Sequence, residues 1–307
     1  MTVGTVERSV LSIPGGTWRM IEKGLASEAD VAILDLEDAV APSAKAAGRE
    51  TVIRALTSLD WGTKPPAFRV NALDTPYFYR DLIEVVEAAG DRLDRIVVPK
   101  VNRPEDVYVV DTLLTQLEAA GGFSRRIGLE VQIETAEGLI NCERIAAASP
   151  RIRAIVYGPG DYAASVQMPA VAIGGADEWD AAYPGHRFHY VMQRILVAGR
   201  AAGVLVIDGP VADFRDLEAF RRSATIARAL GYDGKWCIHP SQIPIANEVF
   251  APAPAEVAWA RRVVDTYAAA QQKGQGSIAV DGKMVDAASI KMAESTLRRA
   301  RAAGMVV

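Results

Sequence analysis

The chain has 307 residues, half of them hydrophobic, with 34 basic against 38 acidic side chains and a net charge of −4. That length accommodates one large core, and near-neutrality without a basic run removes the phosphate attraction on which nucleic-acid binding rests. Met1 to Arg8 show no charged-then-apolar signal pattern and no apolar stretch reaches the roughly 18 residues of a membrane span, so a soluble, cytoplasmic protein with no membrane partner is expected.

Short aliphatic runs recur along the chain, each followed by a longer stretch with helical spacing. In order they are Ser9–Ile13, Val31–Leu36, Ala67–Val70, Arg95–Val98, Gly128–Ile133, Ala154–Tyr157, Val204–Ile207 and Lys235–Ile238. Several are apolar at successive positions, the pattern of parallel strands buried on both faces. Eight such units predict an α/β fold of the (β/α)₈ TIM-barrel type over residues 1–250, in preference to an open doubly wound sheet. Each run ends on polar or turn chemistry: Pro14-Gly15, Glu37-Asp38, Arg69, Lys100, Glu134, Gly160-Asp161, Asp208 and His239. In a barrel these ends converge on one face, the active-site face.

The longest gap, Val166–His189, carries Gly174-Gly175, Trp179 and Tyr183-Pro184-Gly185, and its place near that face predicts a lid. Residues 251–307 are surplus to eight units. They read as two helices, Ala255–Gln272 and Ala287–Ala302, joined by the Gly-rich Lys273–Lys283. Apolar positions such as Trp259, Val263, Tyr267, Ile290 and Ala293 suggest packing over the barrel mouth or onto a neighbouring subunit. Cys142 and Cys237 are far apart without a CxxC partner, so two buried thiols are expected rather than a zinc cage or a disulfide.

Glu134 and Asp161 end consecutive strands, and two carboxylates at one mouth suit Mg²⁺, a hard cation that keeps open positions. Taken singly, Asp161 could cap a helix and Glu134 could pair with an Arg. Asp35, Glu37 and Asp38 share one acidic run; period two puts Asp35 and Glu37 on one face, and three close carboxylates call for an electropositive centre. Arg69 offers a fixed fork for a carboxylate or an enolate oxygen, or an ion pair with Glu37. The loop Pro14-Gly15-Gly16-Thr17-Trp18-Arg19, with Lys23, could cradle phosphate or be an ordinary turn with solvated side chains. His186 and His189, three apart, lack a third ligand of matching type nearby and are read as ordinary side chains. Trp236 and His239 are read together as barrel packing rather than as proton-transfer groups.

The stretches Leu34-Asp35-Leu36-Glu37-Asp38-Ala39-Val40-Ala41-Pro42, Ile133-Glu134-Thr135-Ala136-Glu137-Gly138 and Gly234–Gln242 resemble the HpcH/HpaI aldolase and citrate lyase β-subunit superfamily. Within it, Tyr157–Ser165, Ile207-Asp208-Gly209-Pro210 and Ala246–Phe250 are similar to malyl-CoA lyases. The resemblance implies a barrel with a C-terminal extension, assembled as a homotrimer or homohexamer, each extension covering the site of the next subunit. It implies Mg²⁺ on Glu134 and Asp161, with Mn²⁺ as an alternative ion, Arg69 beside the reacting carbonyl, and Asp286 as acid/base donated by the neighbour. Glu37 and Asp38 complete the candidate catalytic set. Coenzyme A, carried as part of the substrate, is placed against Ser12, Arg19 and Lys23, and the substrate against Gly160-Asp161 and Ile207-Asp208. Where relatives commonly have Arg in the first loop this chain has Thr17, with Arg19 as the candidate substitute. The implied partners are an acyl-CoA thioester and a small 2-oxo acid, in the cleavage of malyl-CoA or β-methylmalyl-CoA. Citramalyl-CoA cleavage, malyl-CoA thioester hydrolysis and a CoA-independent 2-oxo-acid aldolase are the rival outcomes. A noncatalytic barrel would lack some of the carboxylates that are all present here.

Overall fold

Eight short parallel strands form a closed barrel in the order of the chain: β1 (Ser9–Pro14), β2 (Val31–Asp35), β3 (Pro66–Arg69), β4 (Arg95–Val98), β5 (Gly128–Ile133), β6 (Ile152–Tyr157), β7 (Leu205–Asp208) and β8 (Gly234–Cys237). The computed structural model describes residues 7–169, 172–183, 185–272 and 276–307; Pro184 and Lys273, named above, lie outside the described residues. Strand β1 pairs with β2 on one side and with β8 on the other, Ser9 opposite Lys235. That closure depends on Gly234: a Cβ there would lie 1.7 Å from the Glu7 carbonyl oxygen. The apolar runs located all eight strands, with ends displaced by up to two residues. Strand β6 starts before its purely apolar part because Arg153 turns outward to Asp94 at 2.8 Å. Pro66 is tolerated as the first residue of β3, where its missing N–H is not needed.

Alternation along the strands stacks the lumen in layers. The middle layer is apolar, built from Val10, Val31, Ile33, Ala67, Val97, Ala154, Val156, Ile207 and Trp236. At the N-terminal end, the fully buried Arg95 holds both Glu7 and Glu130, the latter at 2.5 Å. At the C-terminal end the same inward parity brings up Ser12, Asp35, Arg69, Gln132 and Glu134. Around the barrel run α1 (Trp18–Leu25), α2 (Lys45–Ser58), α3 (Phe78–Ala89), α4 (Pro104–Gly121), α5 (Ala136–Ile140), α6 (Cys142–Ala146), α7 (Pro159–Ser165), α8 (His189–Ala202), α9 (Leu217–Leu230) and α10 (Ile243–Phe250). None of the described helices is long and apolar enough to cross a membrane. Both cysteines are buried and free.

The described chain divides into two compact units, Glu7–Asn247 and Glu248–Val307. The second contains α11 (Pro254–Gln271), a hairpin of β9 (Ile278–Val280) and β10 (Lys283–Val285), and α12 (Ala287–Ala302). The hairpin replaces part of the expected Gly-rich joint. Its turn is Asp281-Gly282, both at positive φ (49° and 74°), the backbone of a two-residue turn that matches strand twist. The apolar positions expected to face another surface are used inside this unit. Val263, Tyr267 and Ala293 are in its core, and Trp259 and Ile290 pack against it.

Burial pushes the Glu7 carboxyl from 4.5 up to about 7, against the pull of Arg95 and with the Glu130 charge adding to the rise. Between those two values the folded chain keeps a proton that the unfolded chain has lost. Stability is therefore full below the unfolded value and falls as pH rises through the window. Glu7→Gln is expected to flatten that decline in urea unfolding measured across the window. An unchanged slope would assign the decline to other groups.

Candidate active site

The mouth of the barrel is organised by a cross-strand pair. Asp35 ends β2 opposite Arg69 at the end of β3, so both side chains rise on the inward face. Arg69 Nε and Nη2 donate to the two oxygens of Asp35 at 2.7 and 2.6 Å, a bidentate fork, and Nη1 reaches Gln132 Oε1 at 3.2 Å and Glu37 at 2.8 Å. The face of Trp236 lies 5.2 Å from the guanidinium. The backbone N–H groups of Glu37 and Ala39 also donate to Asp35, folding the acidic run back over its own strand. Lys45 pins that turn from outside, donating to the carbonyls of Leu36 and Glu37, each at 2.7 Å. Burial works against charge on Asp35, but Arg69 and the backbone donors outweigh it and hold its pKa below the ordinary carboxylate value. For Glu37 burial wins, and its pKa is raised despite Arg69 and Lys100.

Lys100, beyond β4, is the second cation. Its backbone is left-handed, with φ 51°, its N–H donates to Glu134 Oε1 at 2.8 Å, and its ammonium bonds Glu37 and lies 3.6 Å from Asp161. Glu134 is 3% exposed, and burial, reinforced by the Glu37 charge, pushes its pKa up to about 8. Asp161 sits in the first turn of α7 with its side chain 42% exposed. The cap of that helix is Gly158, so Asp161 is not spent on capping. Glu134 has no Arg partner within ion-pair distance among the described residues; its direct donor is the Lys100 backbone. The turn into α7 presses close on Glu134: a Cβ on Gly158 would lie 2.2 Å from its Oε2.

Asp35, Glu37, Asp38, Glu134 and Asp161 thus gather about three cations, Arg69, Lys100 and, from outside the turn, Lys45. The surplus negative charge and the all-oxygen donor set fit a divalent cation of the Mg²⁺ kind. Among the described residues no cluster of three acidic, His or Cys side chains forms a closed metal cage. A cation on Glu134 and Asp161 would keep most of its positions for water and substrate oxygens.

A cavity of about 360 Å³ opens over this arrangement, its wall including Ser12, Asp38, Arg69, Glu134, Gly160 and Asp161. Glu37 is not in the wall; it stands behind it between two cations. Arg19 and Lys23 are on the exposed face of α1, also outside the wall. Ile207 and Asp208 differ from the expected substrate contacts because period two sends them to opposite sides of β7. Ile207 is sealed in the lumen core, and Asp208 faces outward to Lys235. His239 parts from Trp236: the indole is in the lumen core, while the imidazole is exposed, stacked 4.8 Å from Phe214. His186 is half-buried and His189 exposed. Asp286 belongs to the second unit. It caps α12, its Oδ1 accepting from the N–H groups of Ala288 and Ser289 and from the Ser289 hydroxyl. Of the long gap, Ile173 lines the cavity, and Arg187 ties the segment to itself through Asp177 and Asp180. Lys100, Gln132, Trp236 and Ile173 were not singled out as site residues. A charged residue two positions after β4 is the sequence sign for Lys100.

The model of the HpcH/HpaI aldolase/citrate lyase family matches residues 8–240. The chain belongs to this family. It is 45% identical over 293 residues to the L-malyl-CoA/beta-methylmalyl-CoA lyase of Cereibacter sphaeroides, covering 94% of this chain and 92% of that one. It is 36% identical over 290 residues to the malyl-CoA/beta-methylmalyl-CoA/citramalyl-CoA lyase of Chloroflexus aurantiacus, covering 90% and 82%. Among solved structures it is similar to CitE from Mycobacterium tuberculosis in complex with magnesium, acetoacetate and coenzyme A, with a TM-score of 0.74, 31% identity and coverage of 98% and 99%.

Gly158 has φ −108° and ψ 95°, a conformation open to alanine, so Gly158→Ala acts by side-chain contact, and the nearest atoms belong to Glu134. The variant is expected to bind Mg²⁺ about tenfold or more weakly by calorimetry with unchanged circular dichroism. Wild-type affinity would detach Glu134 from the metal.

Proposed function

We propose that the protein cleaves (S)-malyl-CoA and β-methylmalyl-CoA reversibly, giving glyoxylate with acetyl-CoA or propionyl-CoA, with Mg²⁺ held by Glu134 and Asp161. The observation that carries this is the joining in one cavity of a locked guanidinium, Arg69, with a surplus of carboxylates around Glu134 and Asp161. The relative at 45% identity bears the corresponding name across nearly the whole chain, and the M. tuberculosis structure was solved with magnesium and coenzyme A. When bound, Mg²⁺ would supply Lewis-acid polarisation of the 2-oxo acid carbonyl.

The chain's own residues do the rest. In cleavage the β-hydroxyl passes its proton to the ionised Asp286 carboxylate of a neighbouring copy as its carbon becomes the glyoxylate carbonyl, and the electrons of the broken carbon–carbon bond pass to the thioester as an enolate. Asp35 and Gln132 take three of the five N–H groups of Arg69 and Glu37 pairs with Nη1 by charge, leaving an Nη2–H for the enolate oxygen. The guanidinium is thus oriented before charge develops, which is the condition for electrostatic stabilisation. The α-carbon then takes a proton from Asp286 of a neighbouring copy, in a homotrimer or homohexamer whose extensions cover adjoining barrels. Backbone and side-chain donors from Ser289 lower the Asp286 pKa and keep the group ionised, and they leave Oδ2 free of the cap to take up a proton. Ser12 in the cavity wall, with Arg19 and Lys23 beyond it, would receive coenzyme A.

The Chloroflexus relative's name includes citramalyl-CoA, the homologue that yields pyruvate. One methyl group is worth only about 1–3 kcal/mol of discrimination, so both thioesters belong in the assay. Product analysis separates the outcomes: an oxo acid with acetyl-CoA for the lyase, malate with free coenzyme A for hydrolysis.

With Mg²⁺ present, Glu134→Ala should abolish cleavage and Asp286→Ala should lower kcat by about 10²–10⁴-fold. Co-expression of the two inactive variants should restore activity, because mixed oligomers contain sites with both groups intact. No restoration, with mixed oligomers verified by mass, would place Asp286 in the site of its own chain.

A further inference from the structure

Lys100 touches both candidate metal ligands and both outer carboxylates of the acidic run. Its backbone N–H donates to Glu134 Oε1 at 2.8 Å, while its ammonium hydrogen-bonds Glu37 Oε1 and lies 3.6 Å from Asp161 and 3.8 Å from Asp38. The wall of the mouth cavity includes Asp38, Glu134 and Asp161 but not Lys100, so the ammonium acts on that space through the carboxylates it touches. Its two polar groups act differently. The N–H orients Glu134 and survives any substitution except proline. The ammonium places a positive charge beside Asp161, which opposes a second cation on that carboxylate. It also takes one oxygen of Glu37, whose other oxygen faces Arg69 Nη1 at 2.8 Å. Glu37 is 5% exposed, so with both oxygens taken by cations it has none to give a metal. Accordingly, no cluster of three acidic, His or Cys side chains suited to a metal forms among the described residues.

Mg²⁺ demands octahedral geometry, and each carboxylate added to its shell removes a position that water or substrate could fill. A third carboxylate would also bind the ion more tightly by charge alone. We propose that Lys100 is a positioning residue that keeps the metal site open, its ammonium holding Glu37 off the ion and loosening the grip of Glu134 and Asp161, so that coordination positions remain for the oxygens of a 2-oxo acid. This role rests on Mg²⁺ binding at Glu134 and Asp161 as proposed above. It makes Lys100 weaken the hold on the metal while strengthening the hold on the substrate. A side chain that only braced the mouth has a different signature, since its loss would loosen both.

The test uses the full chain. Mg²⁺ is titrated by calorimetry into wild type, Lys100→Met, Lys100→Asn and Lys100→Arg, and glyoxylate is then titrated into each Mg²⁺-loaded protein. Asparagine accepts the left-handed backbone of this position, φ 51°, so the charge-free pair includes one variant suited to that conformation, and circular dichroism checks the fold. Both charge-free variants are expected to bind Mg²⁺ about tenfold more tightly and glyoxylate about tenfold more weakly, with Lys100→Arg close to wild type on both. Unchanged or weaker Mg²⁺ binding in the charge-free pair overturns the proposal. So does tighter Mg²⁺ binding with unchanged glyoxylate binding, because Glu37 then stays off the ion without Lys100. An arginine variant that behaves like the methionine one overturns it too, by assigning the effect to shape and not to charge. Wild type that binds no Mg²⁺ defeats the metal reading itself, and the wild-type titration alone tells that result from the others.

Discussion

The buried fork between Arg69 and Asp35 is the constraint on which the mouth of the barrel depends. Desolvating a guanidinium and a carboxylate is costly, and the cost is offset only when geometry is good and the remaining donors are used. Here the register of β2 against β3 sets the two residues opposite each other, Gln132 and two backbone N–H groups add hydrogen bonds, and Glu37 adds an ion pair. The fork fixes Arg69, and through Asp35 it also fixes the turn that carries Glu37 and Asp38. Removing either partner would leave an uncompensated charge in the lumen, so the pair supports the fold and the site together.

That arrangement also explains why Glu134 is poised as it is. Arg69 is occupied by Asp35, and the Lys100 ammonium by Glu37, so neither neutralises Glu134 fully and burial pushes its pKa up to about 8. Lys100 reaches this position through a left-handed backbone, a cost that side chains with a Cβ accept only where surrounding contacts enforce it. The contacts are visible: its N–H on Glu134 and its ammonium on Glu37 hold the residue from both ends.

Much of this was legible in the sequence. The parallel strands announced themselves as apolar runs, and the polar residue after each run marked the active face. The inward parity of Asp35 and Glu37 followed from period two, and both do meet Arg69. The same rule, applied one residue further along β7, would have turned Asp208 away from the lumen; the resemblance placed Ile207 and Asp208 side by side, and parity separates them. The Asp281-Gly282 hairpin signal was present between β-branched flanks but was absorbed into a Gly-rich joint. Lys100 was hidden for a different reason. Nothing in local sequence tells a cation at a strand end which of several carboxylates it will serve, because that depends on loops far apart in the chain.

The charge arrangement also narrows which group can move a proton. Asp35 is held ionised by Arg69, Glu37 is enclosed by two cations, and Glu134 and Asp161 are the candidate metal ligands. Asp38 remains, with a side chain 62% exposed and the cations Arg69 and Lys100 both near 3.9 Å or closer. Two cations at that range hold its carboxylate over the mouth as electrostatic support. The barrel unit therefore offers many fixed charges and few groups free to exchange a proton. In the proposed reaction that exchange falls to Asp286, whose charge is held by its own helix cap and not by the cations of the mouth.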